Sequence, residues 1–311
     1  LNDPIFTVML AALALCTFGL ILLLVQASRA KAQLKKLRAW QGFVRQRDAA
    51  NAMRWRTLYA SRAQAQLARA GRTPSLPIKF LSQDGEDRLL WDLLGDRPGG
   101  FFIECGAADG LIDSVTYALE AAGWRGLLVE PQKAWADRAR ANRPHSTVAQ
   151  TACSAPGGPA SVQMRTVTGD DESAGLMASL ASVDDQRKLD ARGFALGTTT
   201  VPCTTMDALL APLTARVDVL VLDVEGHELE VLKGLSLERY RPSVLLIESI
   251  NQQDQAIRTH VEPEGYVFIA KVARNLLLVR ADEPALADRA LELVTRSAHW
   301  PSPSESTIST W

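Results

Sequence analysis

The stretch "DVEGHE" places four groups able to take a proton within six residues: Asp223, Glu225, His227 and Glu228. A hydroxyl oxygen that attacks an electrophile must shed its proton, and a carboxylate or an imidazole near neutrality can accept it. Asp223 and His227 are the candidate bases, with Glu225 between them. The plainer alternative is that Glu228 only starts a helix, where a negative charge is favourable, that His227 is exposed, and that Asp223 alone lines a cleft. Neighbouring loop residues seldom point at one ion, so no metal site is expected here. Three further acids close apolar runs: Glu104 in "FFIECGAADG", Glu130 in "GLLVEP" and Glu248 in "SVLLIES".

Small residues follow Glu104. Gly106 and Gly110 allow a tight turn and a close backbone approach to a ligand. Glu130 stands twenty residues past Gly110, at the next strand end, where an acid suits hydrogen bonding to ribose hydroxyls. The dinucleotide pattern G-x-G-x-x-G is absent, as is the P-loop pattern G-x-x-x-x-G-K-[ST]. What remains, E-x-G-x-A-x-G headed by an acid, suits a cationic nucleoside without phosphates. S-adenosylmethionine is the cofactor expected.

These acids can meet only if the chain folds as an open α/β sheet, which binds ligands beyond the carboxyl ends of its strands. The runs support that. Strands are expected at 101–107, 126–131, 146–154, 218–226 and 243–249, and an antiparallel pair at 266–273 and 275–282. Helices are expected at 115–123, capped by Asp113 or Ser114, and at 132–142. In "SQDGED", Asp84 with Asp87 reads as the cap of "RLLWDLL". Continuously apolar strands alternating with helices indicate a mainly parallel sheet covered on both faces. Residues 155–200 break the rhythm and read as a short hairpin with a loop.

The 311-residue chain divides by composition. "IFTVMLAALALCTFGLILLLV", 5–25, carries no charge and is long enough to span a bilayer. An uncleaved anchor over 1–27 fits better than a signal peptide, because no basic segment precedes it. Residues 26–72 hold twelve Lys and Arg against a single acid, Asp48. Positive charge on that side places the N-terminus outside and the remainder in the cytoplasm, so the chain reads as a single-pass protein of the inner membrane. Residues 28–77 read as a basic juxtamembrane helix and linker. The 28–70 part faces either anionic lipid or a membrane protein complex; nucleic acid is not an expected partner. The catalytic domain is expected over 78–282. Residues 283–311 are expected to form a C-terminal helix and, from 301, a disordered tail. Cys16, Cys105, Cys153 and Cys203 form no C-x-x-C, so neither a disulfide framework nor a zinc site is expected.

The segments "SQDGED", "FFIECGAADG", "GWRGLLVEP", "DVLVLDVEGHELEVLKG" and "RPSVLLIES" resemble, in order and spacing, the FkbM family of S-adenosylmethionine-dependent methyltransferases, over roughly 78–282. The resemblance implies a Rossmann-like class I methyltransferase sheet, mostly parallel, of seven strands with an antiparallel closing strand. It implies methyl transfer to a hydroxyl of a sugar, glycolipid or other small-molecule or glycan acceptor. Glu104, Gly106, Ala107 and Gly110 should line the methionine end, Glu130 should hold the ribose, and Ser82 and Gln83 should cover the cofactor. Asp223 and Glu225 should face the reacting centre. Where the family has Asp and Asn, this chain has Glu104 and Ala108. A rival reading keeps the fold and drops the chemistry: a non-catalytic accessory subunit of a larger membrane complex.

Overall fold

The computed structural model describes residue 31 and residues 51–168, 195–213, 216–250 and 253–297. The apolar span 5–25, most of the basic arm, the 169–194 segment and the 301–311 tail lie outside the described residues. Among the described residues no helix is long and apolar enough to cross a membrane.

Trp55–Ser302 forms one compact unit. Its strands are β1 (Phe101–Cys105), β2 (Arg125–Val129), β3 (Ser146–Ala149), β4 (Ala152–Cys153), β5 (Ser161–Thr168), β6 (Ala195–Thr204), β7 (Val219–Leu222), β8 (Val244–Glu248), β9 (Tyr266–Val272) and β10 (Asn275–Arg280). Seven of them make one sheet in the order β3-β2-β1-β7-β8-β10-β9. The first five run parallel, and β10 is antiparallel to both its neighbours. The expected Rossmann-like sheet is therefore present, with its antiparallel strand inserted between β8 and β9. The chain builds outward from β1 through β2 to β3, then returns to β7 on the other side. That reversal opens a crevice at the carboxyl ends of β1, β2 and β7.

The continuous apolar runs are buried on both faces, as a parallel sheet requires. Ile103, Leu127, Leu220, Leu222, Leu245 and Ile247 pack against Met206, Val231, Leu232, Ile257 and Val261 on one side. Phe102, Leu128, Val221 and Leu246 pack against Leu89, Leu90, Leu93, Ala139, Leu286 and Ala290 on the other. Each such side chain contributes roughly 1.5–3 kcal/mol by leaving water.

Three expectations about the elements need correction. The strand expected over 146–154 is two strands in two sheets. Pairing with β2 ends at Ala149 because β2 itself ends at Val129, and Ala152–Cys153 then pair with Cys203 and Thr204 of β6. Neither Asp113 nor Ser114 caps the 117–121 helix; Thr116 holds that position without a side-chain bond, and the Ser114 hydroxyl goes to Glu104. Asp84 does not cap the 86–94 helix, whose N-terminus is Gly85 in a left-handed conformation. Asp87 turns back instead. Its carboxylate accepts the N–H groups of Leu81 and Ser82 and the Ser82 hydroxyl, while Ser82 Oγ accepts the N–H of Gly85.

The compact unit also takes in residues that the sequence sets outside 78–282. The stretch 55–69 is helical, and its Tyr59, Ala63 and Leu67 are buried with Ile78, Phe80, Trp91, Tyr117 and Ala118. Trp91 Nε1 donates to Gln66 Oε1 at 3.1 Å. Cations of the basic stretch serve this packing. Arg56 donates to the carbonyls of Leu81 and Ser82, and Arg72 to that of Ala122; Arg62 pairs with Asp92. The 284–297 helix docks Leu286 and Ala290 on the second face of the sheet.

Candidate active site

The turn after β1 is tied down on both sides. Gly106 and Ala107 donate their N–H groups to the carbonyl of Val129, at 3.0 and 3.2 Å. Asp223 N–H reaches the carbonyl of Cys105 at 3.1 Å. Gly106 has φ 84°, and a Cβ there would lie 1.7 Å from the Asp223 carbonyl oxygen, so only glycine fits between β1 and β7. Ala108 follows at φ 45°, a left-handed conformation that Asn tolerates better than Ala. Its N–H goes to Glu130 Oε2 at 3.0 Å, and Gln132 N–H goes to Glu130 Oε1 at 2.8 Å. The acid at the end of β2 thus clasps the turn after β1. Burial pushes its carboxyl up to about 7, against the opposing pull of those two N–H groups.

Glu104 is spent differently from the expectation. It lines the crevice, but its carboxylate accepts the Val115 N–H at 2.8 Å and the hydroxyls of Ser114 and Thr116 at 3.1 and 2.5 Å. Behind it lies Arg143, with no exposed side-chain surface. That guanidinium donates to Glu120 at 2.6 Å, to the Gly110 carbonyl and Ser114 Oγ at 3.0 Å, and to Thr116 Oγ1 at 2.9 Å, and comes within 3.5 Å of Glu104. A Cβ on Gly110 would meet Arg143 at 2.6 Å. Glu104, Gly110 and Arg143 therefore hold the turn from behind.

One cavity runs across the carboxyl edge of the sheet. Gln83, Glu104, Gly106, Glu130, Asp223, Glu225 and His227 line it, so seven of the ten residues singled out from sequence meet there. Ser82, Ala107 and Gly110 do not. Ser82 faces Asp87, Ala107 is in the core, and Gly110 backs onto Arg143. At the β1–β2 end the wall is Gln132, Trp135, Thr151, Cys153 and Met164. Cys105 and Cys153 are free thiols in hydrogen-bond contact, and that contact, with burial, pushes the Cys105 thiol up. At the β7–β8 end the wall is Glu86, Asp113, Glu248, Arg274 and Asn275.

Glu225 and Gly226 take φ 56° and 98°, which turns the chain sharply after Asp223. Glu228 folds back under this turn, accepting the N–H groups of Val224 and Gly226 at 3.1 and 2.9 Å. It therefore holds the loop from beneath. His227 Nε2 lies 3.2 Å from Ser154 Oγ, and burial lowers its pKa below the ordinary imidazole value, so the ring is neutral and half-buried. Burial raises Asp223 above the usual carboxylate range. Arg274, in the β9–β10 turn, donates to Gln83 Oε1 at 2.6 Å and lies 3.3 Å from Glu248; Asn275 donates to Glu86 at 3.0 Å. Arg274 and Asn275 were not foreseen from sequence, although a hairpin tip beside a strand-end acid is a readable signal. Among the described residues no three His, Cys, Asp or Glu side chains are grouped to hold a metal ion.

The family model for the methyltransferase FkbM domain matches residues 104–268. The structure is similar to a TehB-like SAM-dependent methyltransferase from Corynebacterium glutamicum, at 12% identity over 75% of this chain and 97% of that one with a TM-score of 0.34. It is also similar to a putative RNA methyltransferase from Pyrococcus horikoshii, at 13% identity over 64% and 83% with a TM-score of 0.34. A third similar structure is the C-terminal domain of precorrin-6Y C5,15-methyltransferase from Rhodobacter capsulatus, at 13% identity over 67% and 96% with a TM-score of 0.34. No curated protein matches. With the FkbM domain covering more than half of its residues, the chain belongs to the FkbM methyltransferase family.

Proposed function

We propose that the chain is a membrane-anchored, S-adenosylmethionine-dependent O-methyltransferase acting on a hydroxyl of a sugar, glycolipid or other membrane-proximal acceptor. One observation carries the reading. The glycine turn after β1, the acid ending β2 and the acid following β7 line a single cavity within the family's domain.

The residues present fit the cofactor. Glu130 spends one lone pair of each oxygen on backbone N–H groups and keeps the others for two ribose hydroxyls. Trp135 and Met164 offer apolar surface for a base, and among the described residues no Lys or Arg lines that end of the cavity to call for a phosphate. When bound, S-adenosylmethionine supplies a methyl carbon on a cationic sulfonium. Asp223, rather than His227, is the base in this reading. It follows β7 directly beside the Gly106 turn, whereas the imidazole is turned to Ser154. Glu225 bounds the acceptor side, where Gln83, Arg274 and Asn275 offer polar atoms to acceptor hydroxyls. This intact constellation favours catalysis over a purely assembling subunit.

The anchor and its orientation rest on the uncharged span 5–25 and the cations that follow it, which would put the domain beside lipid-linked acceptors in the cytoplasm. The test is transfer of a labelled methyl group to a membrane glycolipid extract by the full chain in mild detergent. Label should enter the lipid fraction with the wild type and fall at least about 100-fold with Asp223→Asn, the usual worth of a general base. Equal labelling by both proteins contradicts the reading.

A further inference from the structure

Asp223 and Glu248 occupy one register position on adjacent strands. Leu222 pairs with Ile247 in the parallel β7–β8 ladder, so the residues that follow emerge side by side at the carboxyl edge, and both line the cavity. Glu248 is almost wholly buried, at 2% exposure. Its Oε1 faces Arg274 at 3.3 Å. Its Oε2 is buried and receives no N–H or O–H from the described residues, and the Glu248 side chain as a whole meets the Asp223 carboxyl. Two ionised carboxylates cannot hydrogen bond to each other, and a buried oxygen without a donor is costly. A proton between the two groups resolves both problems at once.

We propose that Asp223 and Glu248 form a carboxyl pair that holds one proton between them, carried by Glu248, which leaves Asp223 as the ionised member facing the acceptor. The proposal rests on the methyltransferase reading for its use but not for its existence. The charged groups around the pair are Glu104 behind Asp223, Glu225 and Glu228 in the following turn, Asp113 across the cavity, and Arg274 as the facing cation. Burial, then the charge of Asp223, push Glu248 up to about 9. At rest the pair carries one proton and one negative charge. When the acceptor hydroxyl gives up its proton, the O–H bond breaks, the proton bonds to Asp223, and the bonding pair stays on the acceptor oxygen as the nucleophile. The pair then holds two protons and is neutral, and one proton leaves to solvent before the next cycle. Glu248 is thus a positioning residue: its O–H orients the Asp223 carboxylate and keeps its second oxygen free.

Infrared difference spectroscopy of the full chain in detergent, without cofactor, reads this directly. At about pH 8, Glu86 and Glu130, each raised to about 7, are mostly ionised, whereas Glu248 keeps its proton. The wild type should show a protonated-carboxyl C=O stretch that is lost in Glu248→Gln. In Asp223→Asn the band should shift in frequency, because burial still favours the protonated form of Glu248 while its O–H has lost the carboxylate that accepted it. Retention of the band in Glu248→Gln, an unshifted band in Asp223→Asn, or its absence from the wild type overturns the pair. Calorimetric titration of S-adenosylmethionine into the same samples separates the two readings. Cofactor binding without the band sinks the pair alone; the band without cofactor binding upholds the pair and sinks the methyltransferase reading.

Discussion

Gly106 and Asp223 touch through their backbones. The space where a side chain on Gly106 would begin is filled by the Asp223 carbonyl, 1.7 Å from an added Cβ. The cofactor turn and the strand end carrying the candidate base are thereby one interlocked unit. Gly106→Ala must separate β1 from β7 and also take up a φ of 84°. The expected cost is about 1–3 kcal/mol from overpacking, with a further ~1–2 kcal/mol from the left-handed backbone. Urea denaturation measures it. A loss below about 0.5 kcal/mol, within the ordinary range of surface substitutions, would show that the strands can part freely.

Arg143 should be the most sensitive charged residue of the fold. It is fully buried between Glu104 and Glu120 and also satisfies Gly110, Ser114 and Thr116. Arg143→Met leaves two buried carboxylates without their cation, at a cost of about 3–5 kcal/mol. Pairing the change with Glu120→Gln should recover part of that loss. A double variant no more stable than the single one would mean that the ion pair itself is not the source.

The helix over 55–69 should behave as part of the catalytic domain. Leu67 is 1% exposed and sits among Phe80, Trp91 and Tyr117. Leu67→Ala should destabilise the domain by about 2–5 kcal/mol in thermal or urea melts. A chain cut at residue 77 should melt well below one that starts at residue 51. Coincident melts would return the helix to the role of a solvated arm.

Glu130 makes cofactor binding depend on pH. Its carboxyl is raised to about 7 by burial, so in the folded chain it is protonated below that and ionised above, while the unfolded chain ionises it near 4.5. The folded state therefore holds the extra proton between those values, and the stability drawn from this group falls as pH rises through the window. Ligand binding runs the other way, since only the ionised form accepts two ribose hydroxyls and attracts a cation. Affinity for S-adenosylmethionine should strengthen from about pH 6 to about pH 8, and Glu130→Gln should flatten the profile and weaken binding roughly 10–100-fold at the upper end, the worth of about 1.4–3 kcal/mol. A pH-independent wild-type affinity would remove Glu130 from the site.

The main strand runs and the strand-end acids were legible in the sequence because parallel strands are continuous apolar runs, and the residue after each run falls at the ligand edge by construction. Glu130, Asp223 and Glu248 follow from that rule alone. Arg143 does not, since its partners Glu120 and Gly110 lie 23 and 33 residues away and nothing local marks an arginine in "RARANR" as buried. The fate of Glu104 was hidden for the same reason. Its position was readable, but the loop that claims its carboxylate was not. Residues 55–69 misled through composition, because cations that bind carbonyls and Asp92 look the same in sequence as cations facing lipid. Ala108 gains a clearer meaning. At φ 45° it occupies a left-handed position for which the Asn implied by the family resemblance is better suited, while its N–H still reaches Glu130.

The most direct measurement is calorimetric titration of S-adenosylmethionine into the purified full chain. Saturable one-to-one binding, weakened by Glu130→Gln and retained by Asp223→Asn, is the predicted result, because in the proposed function the first residue holds the cofactor and the second acts on the acceptor. No heat of binding even at millimolar cofactor, from a chain whose melt shows it folded, would contradict the account.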